Sequence, residues 1–386
     1  MGKAWRSSKT LWVGLPLAVG LVVFVAWRFL APSPPPLPLV WHCPERVAHG
    51  FVFSRDSQLL GYRTPDEFVV RRVRDGQEVW RRKLPRWNLP IFPLCAWPSG
   101  DGVAVFDEQQ GFLEFWRLRD GKTVKRLPLT PKRPIIRLLL TPDGRWLFVT
   151  VREGVHLYRA TDARFFRQWA LGWVGPMAFA PDSQTVALVL AAPPLLGSGK
   201  SIGRVQWRRI PDGRLLSECQ FPFPPASLSF SPDGSFLAVG GLEVLPQRGW
   251  KMWLLPSPTR THIVVFRLPE GQSVFQAQLN DTSYFVQFSS DGQWLMAAGQ
   301  KLRLWQVRDW HLVTEQTFGR LLFVDFRLLP PIHVSPGFMA NLTPSPDGRW
   351  LAVRLLSGEN IRWGHQRRLP QSHLYLFRLP EGGDKR

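Results

Sequence analysis

Tryptophan and cationic side chains are the residues of this sequence whose types and positions could recognise a ligand. Large aromatic rings and guanidinium groups anchor many protein interfaces, and together they suit anionic ligands through stacking and charge. Ten of them fall in irregular stretches of the chain: Trp87, Trp173, Trp250, Trp253, Trp363, Arg248, Lys251, Arg362, Arg367 and Arg368. They are candidates for binding a partner, although any single tryptophan could instead pack its own loop onto the fold.

Residues that carry covalent or metal chemistry form no pattern in this sequence. The eight histidines are scattered, and no two of them show the spacing of metal ligands on a common element. The cysteines Cys43, Cys95 and Cys219 have neither metal nor redox spacing, so we expect buried free thiols rather than disulfides. A Ser–His–Asp site would need a nucleophile elbow, which we do not find. We therefore expect no catalytic residue, cofactor or metal, and do not expect an enzyme.

The charge of the chain is strongly positive. Its 386 residues carry a formal net charge of +20, mostly from arginine. Such a charge favours anionic partners, namely nucleic acid, lipid head groups, acidic glycans or acidic proteins. The alternative is a solvated basic surface without a specific partner.

The first 31 residues predict a membrane anchor. Residues 1–10 are short and basic, and residues 11–31 are apolar apart from Arg28 near their end. That length spans a bilayer as a helix, and Trp12 and Trp27 lie where interfacial aromatic residues belong. By the positive-inside rule, residues 1–10 stay cytoplasmic. The sequence thus predicts a single-pass membrane protein whose remaining chain is extracytoplasmic, in the periplasm or at the cell surface.

A cleaved signal peptide is the alternative interpretation of the same segment. The small-x-small cleavage pattern is missing, because residues 27–31 are mostly bulky, so we favour an uncleaved signal anchor. Residues 32–38 form a proline-rich linker, which in polyproline II geometry reaches only about 20 Å. The domain that follows, residues 39–386, is therefore expected close to the membrane.

Two families of tight turns recur along residues 39–386. The first combines Ser or Pro with Asp and Gly, which favour turns through local hydrogen bonding and tolerance of positive φ. Its seven members are Ser54–Ser57, Pro98–Gly102, Thr141–Gly144, Ala180–Ser183, Ser231–Gly234, Ser289–Gly292 and Ser345–Gly348. The second family is mostly an acidic residue before Gly, in Val73–Gly76, Leu118–Gly121, Ala160–Ala163, Ile210–Gly213, Leu268–Gly271, Val307–Trp310 and Leu379–Gly382.

These turns predict seven units of four strands each. A period of about 40 residues with four strands is typical of a β-propeller blade. The last unit ends after its third strand, whereas residues 37–43 precede the first unit and read as an unpartnered strand. We therefore predict an all-β fold: a seven-bladed β-propeller closed by an N-terminal strand, preceded by one N-terminal transmembrane helix.

One segment in the predicted third strands is close to a known repeat signature. Residues 302–309 read Leu-Arg-Leu-Trp-Gln-Val-Arg-Asp, and the sequence resembles the WD40-like family of propellers in a degenerate, bacterial-type form. The aromatic position recurs as Trp116, Tyr158, Phe266, Trp305 and Phe377, with Arg71 and Arg208 at the equivalent places. The Asp that follows it in the family is replaced, by Arg117, Arg159, Arg267, Gln306 and Arg378. The buried hydrogen-bond network of eukaryotic members is therefore not expected.

The propeller has two faces with different sequence character. We call the face of the first-to-second and third-to-fourth turns the bottom, and the opposite face the top. The bottom turns are short and uniform, and we expect them to face the membrane. Long connections are predicted on the top, at residues 191–204, 241–262, 319–337 and 354–373, and they hold most of the ten candidate residues. Because irregular loops on a rigid scaffold carry function, we predict that the top face binds a partner.

The predicted function is a protein–protein interaction scaffold or ligand-binding module. Its partner would be an unidentified protein or an anionic envelope polymer, with membrane attachment through residues 11–31. One alternative is a quinoprotein-like or hydrolase-like propeller enzyme, although the predicted innermost strands are mostly apolar. The other is a charge-driven binder of anionic lipid, polysaccharide or nucleic acid, whose affinity would fall steeply with salt. Nucleic acid is the partner we expect least.

Overall fold

The computed structural model describes residues 37–45, 47, 50–84, 94–97, 101–129, 134–190, 203–245, 259–281, 283–299, 301–317, 342–357 and 371–380. The chain divides into two units, Met1–Pro35 and Pro36–Arg386, and every described residue belongs to the second. The predicted anchor, residues 11–31, lies outside the described residues. Within the described ranges, no helix is long and apolar enough to cross a membrane.

The described residues form 28 β-strands and no helix. In chain order they are β1 (Leu39–Cys43), β2 (Val52–Phe53), β3 (Leu59–Arg63), β4 (Glu67–Arg72), β5 (Glu78–Lys83), β6 (Leu94–Trp97), β7 (Gly102–Asp107), β8 (Phe112–Arg117), β9 (Thr123–Pro128), β10 (Arg137–Leu140), β11 (Trp146–Val151), β12 (Gly154–Arg159), β13 (Phe165–Trp169), β14 (Val174–Phe179), β15 (Thr185–Leu190), β16 (Gly203–Arg209), β17 (Leu215–Phe221), β18 (Pro225–Phe230), β19 (Phe236–Val244), β20 (Thr259–Arg267), β21 (Gln272–Leu279), β22 (Phe285–Phe288), β23 (Trp294–Ala298), β24 (Lys301–Gln306), β25 (Leu312–Thr317), β26 (Leu342–Pro344), β27 (Trp350–Ser357) and β28 (Gln371–Arg378).

These strands form seven four-stranded antiparallel sheets, which are the blades of a β-propeller. Blade 1 is β2–β5, blade 2 is β6–β9, blade 3 is β10–β13, blade 4 is β14–β17, blade 5 is β18–β21, blade 6 is β22–β25, and blade 7 is β26–β28 with β1. In blades 1 to 6 the strands follow chain order from the first strand to the fourth. The predicted all-β, seven-bladed propeller is therefore confirmed.

The strand β1 closes the ring. It pairs antiparallel with β28 and so becomes the fourth strand of blade 7, as predicted. Residues just before β1 add to this closure, because the Arg378 amide donates to the Pro38 carbonyl at 2.9 Å. The buried Leu37 packs among residues of blades 6 and 7. Pairing the two chain ends in one sheet covers an edge of β28 that would otherwise be open.

The first-to-second turns are self-contained hydrogen-bonded units. In blade 5, the Ser231 hydroxyl donates to Asp233 Oδ1 at 2.5 Å, and the same oxygen accepts the Ser235 amide at 3.0 Å. The Phe236 amide then donates to Ser231 Oγ at 2.8 Å. Gly234 has φ +75°, a region that favours glycine. The same hydroxyl-to-carboxylate bond recurs from Ser54, Thr141, Ser289 and Ser345.

The aromatic position of the WD40-like resemblance lies on the third strand of every blade, where the ladder to the fourth strand shifts register. The seven residues at this bulge are Arg71, Trp116, Tyr158, Arg208, Phe266, Trp305 and Phe377. In blades 1 and 4 the guanidinium of Arg71 or Arg208 donates to the carbonyl of Gly76 or Gly213, at 2.9 and 2.6 Å. In these two blades an arginine stands in place of the aromatic ring and hydrogen-bonds to the third-to-fourth turn that follows it.

The residue after this position, an Asp in the resembled family, is mostly arginine, and its partner explains the replacement. Arg72, Arg117 and Arg159 lie 3.0, 3.3 and 3.6 Å from the acidic residue of their own third-to-fourth turn. Arg209 pairs with Asp212 in the same way. The basic strand end and the acidic turn therefore neutralise each other at the bottom of these blades.

In the part of the chain that the structure describes, the core consists of seven hydrophobic clusters, each shared between two adjacent blades. Between blades 7 and 1, for example, Leu374 and Leu376 pack with Leu60 and Tyr62. Seven clusters for seven blades mean that every blade buries both of its faces against a neighbour. Burial of apolar surface is the main stabilising contribution in such a fold, and here it depends on the ring being closed.

Tryptophans on the outer strands lock neighbouring blades together. Trp41 of β1 donates from its indole Nε1 to the Val73 carbonyl of blade 1 at 2.7 Å, and its ring lies against Gly76. A Cβ at Gly76 would come within 2.9 Å of that ring. Trp80 repeats the arrangement on blade 2, donating to the Leu118 carbonyl at 2.6 Å. The glycine of the second turn family is thus needed for two reasons. It adopts a positive φ, and it leaves room for the tryptophan ring that packs on it.

The cysteines and two top connections differ in part from the predictions. Cys43, Cys95 and Cys219 are free, but only the first two are buried, whereas Cys219 is half-buried. The connection predicted at 241–262 is shorter, since β19 and β20 stay paired as far as Val244 and Thr259. Likewise, β27 and β28 stay paired to Ser357 and Gln371, inside the connection predicted at 354–373. The reason is that polar and short side chains continue the ladder as readily as apolar ones when a partner strand is beside them.

Candidate functional site

The described residues include one of the ten candidate binding residues. Trp173 lies on the top face, between β13 and β14, and its side chain is 46% exposed. The amide of the neighbouring Gly172 donates to the Glu153 carbonyl at 3.1 Å, which ties this loop to the β11–β12 connection. The other nine lie outside the described residues: Trp87, Trp250, Trp253, Trp363, Arg248, Lys251, Arg362, Arg367 and Arg368.

The hairpin β19–β20 is the longest paired hairpin among the described residues of the top face. Its ladder has nine pairs, from Phe236↔Arg267 to Val244↔Thr259, whereas the corresponding ladders of blades 1, 2, 3, 4 and 6 have five or six. Each of these ladders begins at the equivalent position, the bottom end of its own blade. At about 3.3 Å per residue, the described β19–β20 ladder is therefore roughly 10 Å longer than those ladders.

Three side chains meet at the upper end of this hairpin. Glu243 and Arg260 are directly opposite each other, and His262 is two residues further along β20, so all three share one sheet face. Glu243 Oε2 lies 2.8 Å from His262 Nε2 and 3.8 Å from the Arg260 guanidinium. Glu243 and Arg260 are about one-third exposed, whereas His262 is mostly buried. Glu243 and Arg260 can therefore present charge to a ligand, while the imidazole of His262 contacts Glu243 from the buried side.

A stacked ring beneath them connects blades 4 and 5. Phe223, from the connection between β17 and β18, stacks on His262 with a centroid distance of 4.5 Å and an interplanar angle of 5°. Gly241, opposite His262 in the ladder, makes room for this ring, since a Cβ there would lie 2.3 Å from the Phe223 ring. The position of Glu243 and Arg260 is thus fixed by packing across a blade boundary.

The other face of β20 leads to a buried ionic network between blades 5 and 6. Arg303 donates from Nη2 to Asp281 Oδ2 at 2.6 Å and from Nε to Glu315 Oε2 at 2.7 Å. Both Arg303 and Asp281 side chains are less than 10% exposed. The Thr261 hydroxyl donates to the Asp281 carbonyl at 2.6 Å, which links this network to the hairpin. Lys301 also pairs with Glu315.

The pKa values of this network show that its charges are mutually stabilised. Burial alone would raise the pKa of Asp281, but hydrogen bonds and the charge of Arg303 outweigh it and lower that pKa. Burial likewise opposes the charge of Arg303, yet Asp281 and Glu315 raise its pKa above the usual value. The pKa of Glu315 is lowered, against burial, by Lys301 and Arg303. The network therefore stays ionised at neutral pH.

The arrangement supports binding more directly than bond making. His262 has the carboxylate of Glu243 and the ring of Phe223 as neighbours, so the imidazole serves as a link between strands. Among the described residues, no group of three or more His, Cys, Asp or Glu side chains could hold a metal ion. The thiol of Cys95 is buried, and burial raises its pKa to about 12, which makes it a poor nucleophile at neutral pH.

Sequence reasoning missed both the Glu243–His262 contact and the Asp281–Arg303 pair. The Glu243–His262 contact was not predicted because residues 241–262 were assigned to a connection. In a connection, no strand register places Glu243 beside His262. The alternation Thr259-Arg260-Thr261-His262-Ile263 is a strand signal that could have revealed it. The Asp281–Arg303 pair joins the connection between β21 and β22 to strand β24, and no local pattern predicts such a contact.

Comparisons with known proteins establish the fold and leave the family open. No family model matches the sequence, and no curated protein matches it. Among solved structures, the chain is similar to Kuenenia stuttgartiensis Hydrazine Synthase, with a TM-score of 0.56 and 15% sequence identity, over 83% of this chain and 94% of that chain. At this identity the similarity concerns the propeller fold alone. Because 1183 chains of solved structures match, the fold by itself does not specify an activity.

Proposed function

We propose that this protein is a membrane-anchored, extracytoplasmic propeller that binds a partner through its top face. In this proposal residues 11–31 form a single-pass anchor with a cytoplasmic N-terminus. The propeller is a degenerate, WD40-like scaffold that does no chemistry of its own. Its partner is an unidentified protein or an anionic envelope polymer, and nucleic acid is not expected.

The observation that carries this proposal is the extended hairpin β19–β20. Its ladder is longer than those of five other blades, and its upper end holds the partly exposed pair Glu243 and Arg260. The segment between Val244 and Thr259 contains four of the candidate residues, Trp250, Trp253, Arg248 and Lys251. A paired two-stranded stem that leads into a segment rich in tryptophan and cations is the arrangement expected of a recognition loop.

Affinity capture from membranes tests the proposal. The full chain is compared with a top-face variant carrying Trp250→Ala, Trp253→Ala and Trp363→Ala. A matched control carries Arg55→Ala, Arg145→Ala and Arg349→Ala, three exposed cations of the first-to-second turns at the bottom. We expect at least a tenfold loss of captured partner for the top-face variant and little change for the control, with similar melting temperatures for all three proteins.

Two results would contradict the proposal. Equal recovery of partners by the wild type and the top-face variant would exclude these tryptophans from recognition. A loss confined to the bottom variant would place recognition at the bottom or in the overall charge. Salt dependence separates these causes, because charge-driven binding weakens steeply with salt, whereas recognition centred on tryptophan does so less.

A further inference from the structure

Exposed apolar side chains are concentrated at one level of the propeller. Nine large hydrophobic residues are exposed in the part of the chain that the structure describes. Eight of them are the first or second residue of a fourth strand, and Trp173 is the exception. Seven of the eight follow a third-to-fourth turn, and Leu39 holds the same level in β1, opposite Phe377. Because the third-to-fourth turns lie at the bottom, these side chains form an apolar collar around its outer rim.

The collar is densest on blades 3 and 4. Phe165 and Phe166 begin β13 and are 56% and 43% exposed, and Leu215 and Leu216 begin β17 with 45% and 50% exposure. Successive residues of a strand point to opposite faces, so a pair of exposed apolar residues shows apolar surface on both sides of the strand end. Normal alternation would leave one of the two polar. The four residues thus form the largest apolar group of the rim, which we call the lower rim.

Cations surround the lower rim. Residues 159–167 contain three arginines and one aspartate, and residues 208–216 contain the same numbers, which gives six positive and two negative charges, or +4. Arg164, directly before Phe165, is 82% exposed. Arg214 holds the same place before Leu215. Arg159 and Arg209 pair with the two aspartates, and Arg208 is half-buried with its guanidinium on the Gly213 carbonyl. The exposed cations that can meet an anionic surface are therefore Arg164, Arg167 and Arg214.

The two phenylalanines of the lower rim pack against other side chains of the propeller. The ring of Phe166 lies 4.8 Å from that of Trp146, and the ring of Phe165 lies 5.6 Å from that of Tyr158. The Arg167 guanidinium lies over Phe166 at 6.0 Å from its centroid. Ordered apolar groups beside arginines avoid much of the entropy cost of inserting into another phase.

We propose that the lower rim docks onto the surface of an anionic phospholipid bilayer. Phe165, Phe166, Leu215 and Leu216 would enter the boundary between head groups and acyl chains, and the flanking arginines would contact phosphate groups. Apolar residues bordered by Lys or Arg suit this interface, because arginine keeps its charge at the head groups while its stem stays apolar. The charge excess favours this occupant over a second copy of the chain, which would carry the same charge. The inference is independent of the top-face proposal and requires nothing of residues 1–36.

Site-directed spin labelling of the full chain tests the docking. The Leu216→Cys variant, in a Cys219→Ser background, carries a nitroxide in nanodiscs of phosphatidylcholine alone or mixed with phosphatidylglycerol. In the anionic discs we expect the label to collide more with oxygen than with a water-soluble nickel chelate. A label at Trp173→Cys on the top face should show the opposite preference. Phe165→Cys serves as a second labelled site should Leu216→Cys fail to fold.

Charge variants define the role of the arginines. Arg164→Glu with Arg214→Glu should return the label at position 216 to water, whereas Arg308→Glu, in the exposed third-to-fourth turn of blade 6, should not. The proposal is overturned if the label at 216 is as accessible to the nickel chelate as the label at 173 in anionic discs. Spin–spin broadening between labels at 216 would also overturn it, because it would show contact between two copies.

Discussion

Asp281 and Arg303 form an ion pair that is almost fully enclosed between blades 5 and 6. A buried charge is tolerated only when it is paired and hydrogen-bonded, and here Glu315 accepts from Arg303 Nε while the Ser283 amide donates to Asp281. Arg303 Nη1 is buried without a hydrogen-bond partner among the described residues, so the pairing of the guanidinium is incomplete. The network lies directly below the top face and is linked through Thr261 to the hairpin β19–β20. Its integrity therefore bears on both stability and recognition.

Replacing Asp281 by Asn should destabilise the propeller at neutral pH by about 3 kcal/mol, because Arg303 loses a charged partner in a buried site. The pKa of Asp281 is lowered in the folded state, so the folded protein binds fewer protons than the unfolded chain. The stabilisation is present above the unfolded pKa of about 3.9 and disappears as the pH falls through the folded pKa.

Urea unfolding at a series of pH values measures this effect. The wild type should lose more stability than Asp281→Asn on acidification below about pH 4. Asp120→Asn is the control, because Asp120 pairs with Arg117 at the surface, 3.3 Å away, where an ion pair contributes little. Equal stability of wild type and Asp281→Asn at neutral pH would show that the ion pair does not support the fold.

At the scale of elements, the outer strands link the blades through their tryptophans. Trp41 replaced by Ala should lower the free energy of unfolding by about 2 to 4 kcal/mol, since it removes a ring packed on Gly76 and the bond to the Val73 carbonyl. Leu39→Ala, in the same strand but 50% exposed, should change it by less than about 0.5 kcal/mol. Chemical unfolding of both variants is the measurement, and equal effects would mean that Trp41 does not join the blades.

The elements were largely predictable from sequence, because turn residues recur with a regular period. Asp233 and Gly234 favour a turn wherever they occur, and seven such turns counted the blades correctly. The ends of β19 and β20 were not predicted, because a strand that lengthens beyond its neighbours depends on a partner strand. The contacts of Glu243, His262 and Arg303 needed the register between strands and blades, which local composition does not encode.

The stability of the propeller depends on closure of the ring, in which β1 pairs with β28. Deleting residues 39–43 removes β1 and opens the edge of β28, so we expect a large fall in melting temperature, with loss of cooperative unfolding. Deleting residues 32–36, an equal number from the proline-rich linker, should leave the melting temperature within a few degrees. Calorimetry of the two deletion proteins compares them, and similar melting temperatures would contradict closure by β1.

We propose that the partner binds at the top face of the propeller and not at the bottom. A photo-crosslinking amino acid placed at Trp173 or Arg260 on the top, and at Arg145 or Arg349 in the bottom turns, tests it in intact membranes. All four positions lie in described segments of the propeller. We expect a discrete crosslinked partner from one or both top positions and none from the bottom positions. Crosslinks from the bottom positions alone would contradict it.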